Sequence, residues 1–289
     1  MTRTSQGDMA RRSFVKAGAA ALATAATVGA VLTAKESSNE KDGKEDLVVR
    51  RLGWAGISIR LGDVTVVVDP LANEKLWGLD LGRLLVPIEI ETGGRHALVT
   101  HLHGDHFDPG ALEAVLGERG QVACSEKQAV AISSRGFRVR PLRLFEPTLL
   151  GGLVALSVPA SDGFGIDQVS WIVSGAGRRI IHCGDTLWHG SWWEVGKQYG
   201  PFDAAFLPIN GFRFQGRDPD VDVPSSLTPE QAAAAASVLG ARKIVPIHYG
   251  LQAPFYREEA DAERRLVASA AGSGVAVEVV APGRLVTWS

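Results

Sequence analysis

Cysteine is scarce in this 289-residue chain: Cys124 and Cys183 stand far apart, each at the end of an apolar run. That excludes a disulfide framework as the organising principle and leaves buried free thiols as the expectation, without fixing a redox compartment. Excess charge is missing too. A formal net charge of −2 and a pI near 6.4 give no electrostatic footprint for a polyanion, so no nucleic-acid partner is expected. Strongly apolar long runs are also absent where a membrane span would need one: residues 17–34 are rich in Ala, Gly and Thr but poor in Leu, Ile and Phe. No cysteine closes that stretch, which excludes a lipid anchor there. Histidine is rare, seven residues in all, so any clustering of it carries weight.

The first 46 residues separate from the rest by composition. Arg11-Arg12-Ser13-Phe14-Val15-Lys16 followed by the mildly apolar stretch to Ala34 reads as a twin-arginine export signal, residues 1–34. The expectation is export by the Tat pathway to a periplasmic or extracellular location, with the Tat translocase as a partner in transit and an uncleaved, membrane-anchored form as the alternative. Residues 35–46 hold no apolar side chain and many charges, so they cannot offset the entropy of ordering and read as a flexible linker. From Leu47 to Ser289 a single domain is expected, since 45% hydrophobic content in a chain of this length can bury one large core.

Within that domain, Leu47–Val49, Ile57–Leu61 and Val64–Val68 have the pattern of a strand meander, closed by Asp69-Pro70. Asp69 either braces a neighbouring side chain or caps a turn. Strand and helix then alternate, which indicates an α/β chain. Asp108-Pro109 is a helix start with a cap residue and proline at the first position, running to about Glu118, and a second helix is expected over Glu126–Ser134. Thr228-Pro229-Glu230-Gln231 is a capping box that opens an alanine-rich helix ending at Gly240.

The chemistry is concentrated after the apolar run Ala97-Leu98-Val99. Thr100-His101-Leu102-His103-Gly104-Asp105-His106-Phe107-Asp108 packs three imidazoles and two carboxylates into a loop held between a strand and a helix start. Imidazole and carboxylate at this spacing favour zinc, manganese or iron. Two more strands end on ligand types, Arg178–Cys183 on Gly184-Asp185-Thr186 and Lys243–Ile247 on His248-Tyr249-Gly250. Ligands converging from strand ends are how α/β folds build sites. His182 reads as a satisfied core histidine and His96 as exposed. Trp188, Trp192 and Trp193 would be either a wall over the metals or core packing, and Arg213 either a contact for an anionic substrate or part of a surface loop.

Together the T-H-x-H-x-D-H-x-D loop, the G-D-T turn and the P-I-H-Y-G ending resemble the metallo-β-lactamase superfamily. The match is nearest to the branch of ascorbate-phosphate lactonase-like enzymes and the N-acyl-phosphatidylethanolamine phospholipase D, and it runs from about Leu47 to Ser289. The resemblance implies a four-layer αββα sandwich with a metal pair at one edge of the two sheets. His101 and His103 would hold the first ion, Asp105, His106 and His248 the second, and Asp185 would bridge. Where the family places a histidine after a V-P-A segment, this chain continues Ser161-Asp162-Gly163. Asp162 is the substitute expected, against His189 swinging in or a weakened first site. Trp54 also stands where relatives often carry histidine and would line the substrate mouth. Two divalent ions, zinc or else manganese or iron, would lower the pKa of a bound water to about 7. The resulting hydroxide would attack an ester, lactone or phosphodiester of a small molecule, with Asp105 orienting it or returning a proton to the leaving group. A non-catalytic metal-binding protein and an RNA-processing nuclease are the rival expectations.

Overall fold

A computed structural model describes residues 46–89, 93–216, 222–251 and 256–288. The twin-arginine segment and nearly all of the charged linker lie outside the described residues. The expected meander is present: β1 (Val48–Gly53), β2 (Gly56–Leu61) and β3 (Val64–Val68) pair antiparallel. A small ribbon, β4 (Lys75–Leu76) with β5 (Leu79–Asp80), follows. Then β6 (Arg95–Leu98), β7 (Gln121–Ser125) and β8 (Val139–Leu142) add in parallel beyond β3, completing a sheet in the order β1-β2-β3-β6-β7-β8.

The second half repeats this plan. Strands β9 (Pro147–Leu150), β10 (Leu153–Pro159), β11 (Val169–Gly175) and β12 (Arg178–His182) form another antiparallel meander. Strand β13 (Ala204–Pro208) adds in parallel to β12, and β15 (Lys243–Ile247) and β17 (Ala276–Val277) continue in parallel, while β14 (Arg213–Phe214) and β16 (Tyr256–Arg257) pair separately. In such a half-meander, half-parallel sheet β1, β3 and β6 run the same way, as do β10, β12, β13 and β15. Their carboxyl ends carry the polar residues of interest.

Period-two alternation explains the layering. Val66, Val68 and Leu98 face the core between the sheets, with Phe206, Val245 and Ile247 from the second sheet. Val67, Ala97 and Val99, one residue out of step, face helix α1 (Pro109–Leu116) and the short α2 (Ala129–Ser133). Against the second sheet lies α4 (Pro229–Leu239), flanked by α3 (Trp192–Tyr199) and α5 (Ala262–Ala270). The protein is therefore an α/β sandwich of mixed sheets flanked by helices, with the helix–sheet–sheet–helix layering expected. Among the described residues no helix is long and apolar enough to cross a membrane.

Local chemistry sets the helix ends. Thr228 and Gln231 make the reciprocal capping box, and Gly240 closes α4 in the left-handed region at φ 65°. Helix α1 stops at Leu116, short of Glu118, because Gly117 takes φ 53° and donates its N–H to the Glu113 carbonyl. The second helix is shorter than Glu126–Ser134 because residues 126–128 form a turn, in which the Gln128 amide donates to the carbonyls of Thr100 at 2.9 Å and Asp167 at 3.0 Å. Both cysteines are buried free thiols.

Candidate metal centre

Asp69 is the keystone of the site. It follows β3 in the left-handed region at φ 44° and is fully buried, so its carboxylate needs partners. Oδ1 accepts the Thr100 N–H at 2.8 Å; Oδ2 accepts the Thr100 hydroxyl at 2.6 Å and His106 Nδ1–H at 2.8 Å. Because the Thr100 hydroxyl donates to Asp69, it accepts from His101 Nδ1–H at 3.0 Å. One carboxylate thus fixes the protons of two imidazoles on Nδ1 and turns both Nε2 lone pairs inward, the arrangement that prepares histidine for a metal. Of the two readings of Asp69, the brace is the one seen.

The histidine loop is held from outside as well. Asp108 Oδ1 caps α1 through the N–H groups of Gly110 and Ala111, while Oδ2 accepts those of Ala72 and Asn73, tying the loop after β3 to the loop after β6.

The donors fall into two groups, His101, His103, Asp162 and Asp185 in one and Asp105, His106 and His248 in the other, each with ligand atoms within 4.8 Å of one another. Asp185 stands between them: Oδ1 lies 3.5 Å from His101 Nε2 and Oδ2 lies 3.9 Å from His248 Nε2. All seven residues named from the sequence are brought together. Asp162 joins the first group as expected, with Oδ1 3.6 Å from His103 Nδ1. Its other oxygen accepts the N–H groups of Phe164 at 2.5 Å and Ile166 at 3.1 Å. His189 does not swing in; its Nδ1 accepts the Ser191 N–H and its ring stacks on Trp192 at 4.4 Å.

These residues fit a pair of cations. Asp162 Oδ1 and His106 Nε2 are buried, point into the groups and have no hydrogen-bond partner, a costly state that coordination relieves. Two imidazoles and two carboxylates can face each ion, counting Asp185 twice. The electrostatics of the two groups differ, and at His106 an ion would have to displace a proton. Burial drives His101 well below its ordinary range and lifts the Asp185 carboxyl to about 6. Burial also opposes charge on Asp105 and His106, but His106 and His248 hold the Asp105 carboxyl low, and Asp105 with Asp69 lifts His106 to about 9.

Several contacts escape a sequence reading. Trp54 is 1% exposed and lies beneath the site, not at its mouth, where its indole N–H donates to Asp105 Oδ2 at 3.0 Å. His248 Nε2 lies 3.2 Å from the same oxygen. The Asn210 amide, at the end of β13, sits 3.0 Å from His248 Nδ1 and against the hydroxyls of Tyr256 and Ser226. The amide nitrogen faces His248 Nδ1 and the Tyr256 hydroxyl, and the amide oxygen accepts from Ser226, so Asn210 fixes the orientation of the His248 ring. Gln168, with its amide turned to satisfy both neighbours, donates to Asp185 Oδ1 at 2.9 Å. Asn210 shared the signal of the others, a polar residue at a strand end; Gln168 had none.

Other residues lie elsewhere. Arg213 is engaged by Glu259 and Asp222, so it is not the anion contact considered for it. His182 is a satisfied core histidine, its Nε2–H donating to the Ala55 carbonyl at 2.7 Å. His96 lies within β6 and is half-buried, not exposed, because its strand is covered on both sides. Trp192 is core, Trp193 is exposed, and none of the three tryptophans lines the cavity beside the donors. That cavity, about 340 Å³, is lined by Trp77, His103, Asp105, Phe164, Asp185, Phe212, Phe214, His248 and Tyr256.

Back-to-back mixed sheets with a buried His/Asp metal-binding cluster at their strand ends define a metal-dependent hydrolase of the metallo-β-lactamase fold. The chain belongs to the β-lactamase superfamily: the family described as "Beta-lactamase superfamily domain" matches residues 64–249. It is 30% identical over 244 residues to a UPF0173 metal-dependent hydrolase of Thermococcus kodakarensis, covering 81% of this chain and 96% of that one. A UPF0173 metal-dependent hydrolase of Thermus thermophilus is 29% identical over 246 residues, covering 82% and 97%. Among solved structures, Igni18, a metallo hydrolase of Ignicoccus hospitalis, superposes with a TM-score of 0.63 at 21% identity, covering 84% of this chain and 98% of that one.

Proposed function

We propose that the protein hydrolyses an ester, lactone or phosphodiester bond in a small molecule, using two divalent ions, zinc or else manganese or iron, and that it works outside the cytoplasmic membrane. The observation that carries this is Asp185, whose two oxygens face the two donor groups. His101, His103 and Asp162 would hold one ion, Asp105, His106 and His248 the other, with Asp185 bridging. When bound, such a pair supplies Lewis acidity, activating water and polarising the carbonyl or phosphoryl group under attack.

The chain's own residues do the rest. Trp54 and His248 lie against Asp105 Oδ2, leaving Oδ1 to orient the attacking water and receive its proton. The water oxygen bonds to the carbonyl carbon or phosphorus, the ester C–O or P–O bond breaks, and Asp105 passes the proton to the leaving oxygen. The aromatic side chains of the cavity exclude bulk water from this exchange. The narrower likeness to ascorbate-phosphate lactonase-like enzymes and the N-acyl-phosphatidylethanolamine phospholipase D supplies the bond types to test. Asp162 in the donor group supports a complete first site, which removes the motive for a non-catalytic reading. Export rests on the twin-arginine pattern, with the Tat translocase as the transit partner.

Purified protein assayed on an ester, lactone and phosphodiester panel tests the proposal. Turnover abolished by a chelator, restored by one of the three metals and lost in His103→Ala is expected; full activity in metal-free protein would contradict it.

A further inference from the structure

The cavity beside the donors is apolar to a degree that hydrolysis alone does not require. Three phenylalanines from two segments, the turn after β10 and the stretch that enters β14, form one wall: Phe164 and Phe212 lie stacked at 6.1 Å, and Phe214 meets Phe164 edge-on at 5.3 Å. Tyr256 stacks on Phe212 at 4.8 Å, and Trp77 lines the cavity too. This wall reaches both donor groups, Phe164 meeting the His103 ring edge-on at 5.2 Å and Phe212 lying 6.3 Å from that of His248.

Asp162 builds part of the wall. The oxygen it turns away from His103 accepts the Phe164 and Ile166 N–H groups, so a residue of the first donor group also folds the turn that delivers Phe164. A neutral histidine that gave one nitrogen to an ion would carry its proton on the other and could not accept these N–H groups. Charge points the same way. Among the described residues no lysine or arginine lines the cavity, and Arg213 is held by Glu259 and Asp222. Asp105, Asp162 and Asp185 would leave a pair of divalent ions with a single net positive charge, one less than histidine at position 162 would leave.

We propose that the phenylalanine wall is the specificity site of the hydrolase, and that it takes an uncharged, apolar group of aromatic-ring size attached to the scissile ester or lactone. The proposal rests on the hydrolytic reading for its chemistry but not for its binding preference. The size is adequate: about 150 Å³ houses a benzene ring, and the cavity of about 340 Å³ leaves room for the adjoining ester.

Three p-nitrophenyl esters with a common leaving group, the phenylacetate, the acetate and the anionic hemisuccinate, test it on metal-loaded protein. Calorimetric binding of the matched amides, phenylacetamide, acetamide and succinamate, reads the preference without turnover. Burying one ring should give the phenylacetyl group an advantage of about tenfold or more over acetyl in kcat/KM and in affinity. The hemisuccinate and succinamate should fall below their phenylacetyl counterparts. Phe164→Ser should bring the phenylacetyl-to-acetyl ratio close to one, and Phe212→Ser serves if that variant does not fold. Equal binding of the three amides, a preference for the anion, or a ratio unchanged in both variants would overturn the proposal. No turnover of any ester with the amide order intact would sink the hydrolytic reading and support the pocket assignment.

Discussion

Asp105 holds its charge in a place that ought to neutralise it. Burial opposes the carboxylate, yet the imidazoles of His106 and His248 keep it ionised and the Trp54 indole donates to it. Trp54 therefore serves as a neutral donor beneath the second donor group. Trp54→Phe keeps an aromatic ring beside His248, where the indole now lies at 4.3 Å, and removes the N–H together with part of the bicyclic ring. A hydrogen bond to a charged group is worth about 1.5–3 kcal/mol, so affinity for the ion at the second site should fall by about tenfold or more. Titration against a competing chelator measures this, and an unchanged affinity would show that the indole contributes packing alone.

At the scale of elements, the site is a set of strand ends locked by capping residues. Asp108 joins two of these ends, serving both as the cap of α1 and as acceptor for Ala72 and Asn73. Asp108→Ala should destabilise the protein by about 2 kcal/mol or more, since a lost cap alone costs ~1 kcal/mol and two further N–H groups lose their acceptor. Urea unfolding checks it; a loss below about 0.5 kcal/mol would mean that the two loops are held by something else. These caps were legible in the sequence because they are local: Asp108 with Pro109, and Thr228 with Gln231, act within a turn of themselves. The strand-end ligands were legible for a related reason, an apolar run stopping at a histidine or aspartate. What the sequence did not show depends on distant partners. Arg213 is claimed by Glu259, far along the chain. His189 is held by a tryptophan stack, and Gln168 reaches Asp185 only because β11 and β12 pair.

For the whole molecule, the two sheets matter as a means of bringing two sets of strand ends to one place. The first sheet supplies Asp69 and the histidine loop from β3 and β6; the second supplies Asp162, Asp185 and His248 from β10, β12 and β15. The donor groups exist because the sheets pack face to face, and Asp185 of one sheet lies against His101 of the other. Asp162 decides whether the first group is complete, and its unpartnered inward oxygen is the feature on which the account depends. Elemental analysis of purified protein, wild type beside Asp162→Ala, measures this directly. The account predicts two divalent ions per chain in the wild type and one in the variant; a single ion in the wild type, or two retained without the Asp162 carboxylate, would contradict it.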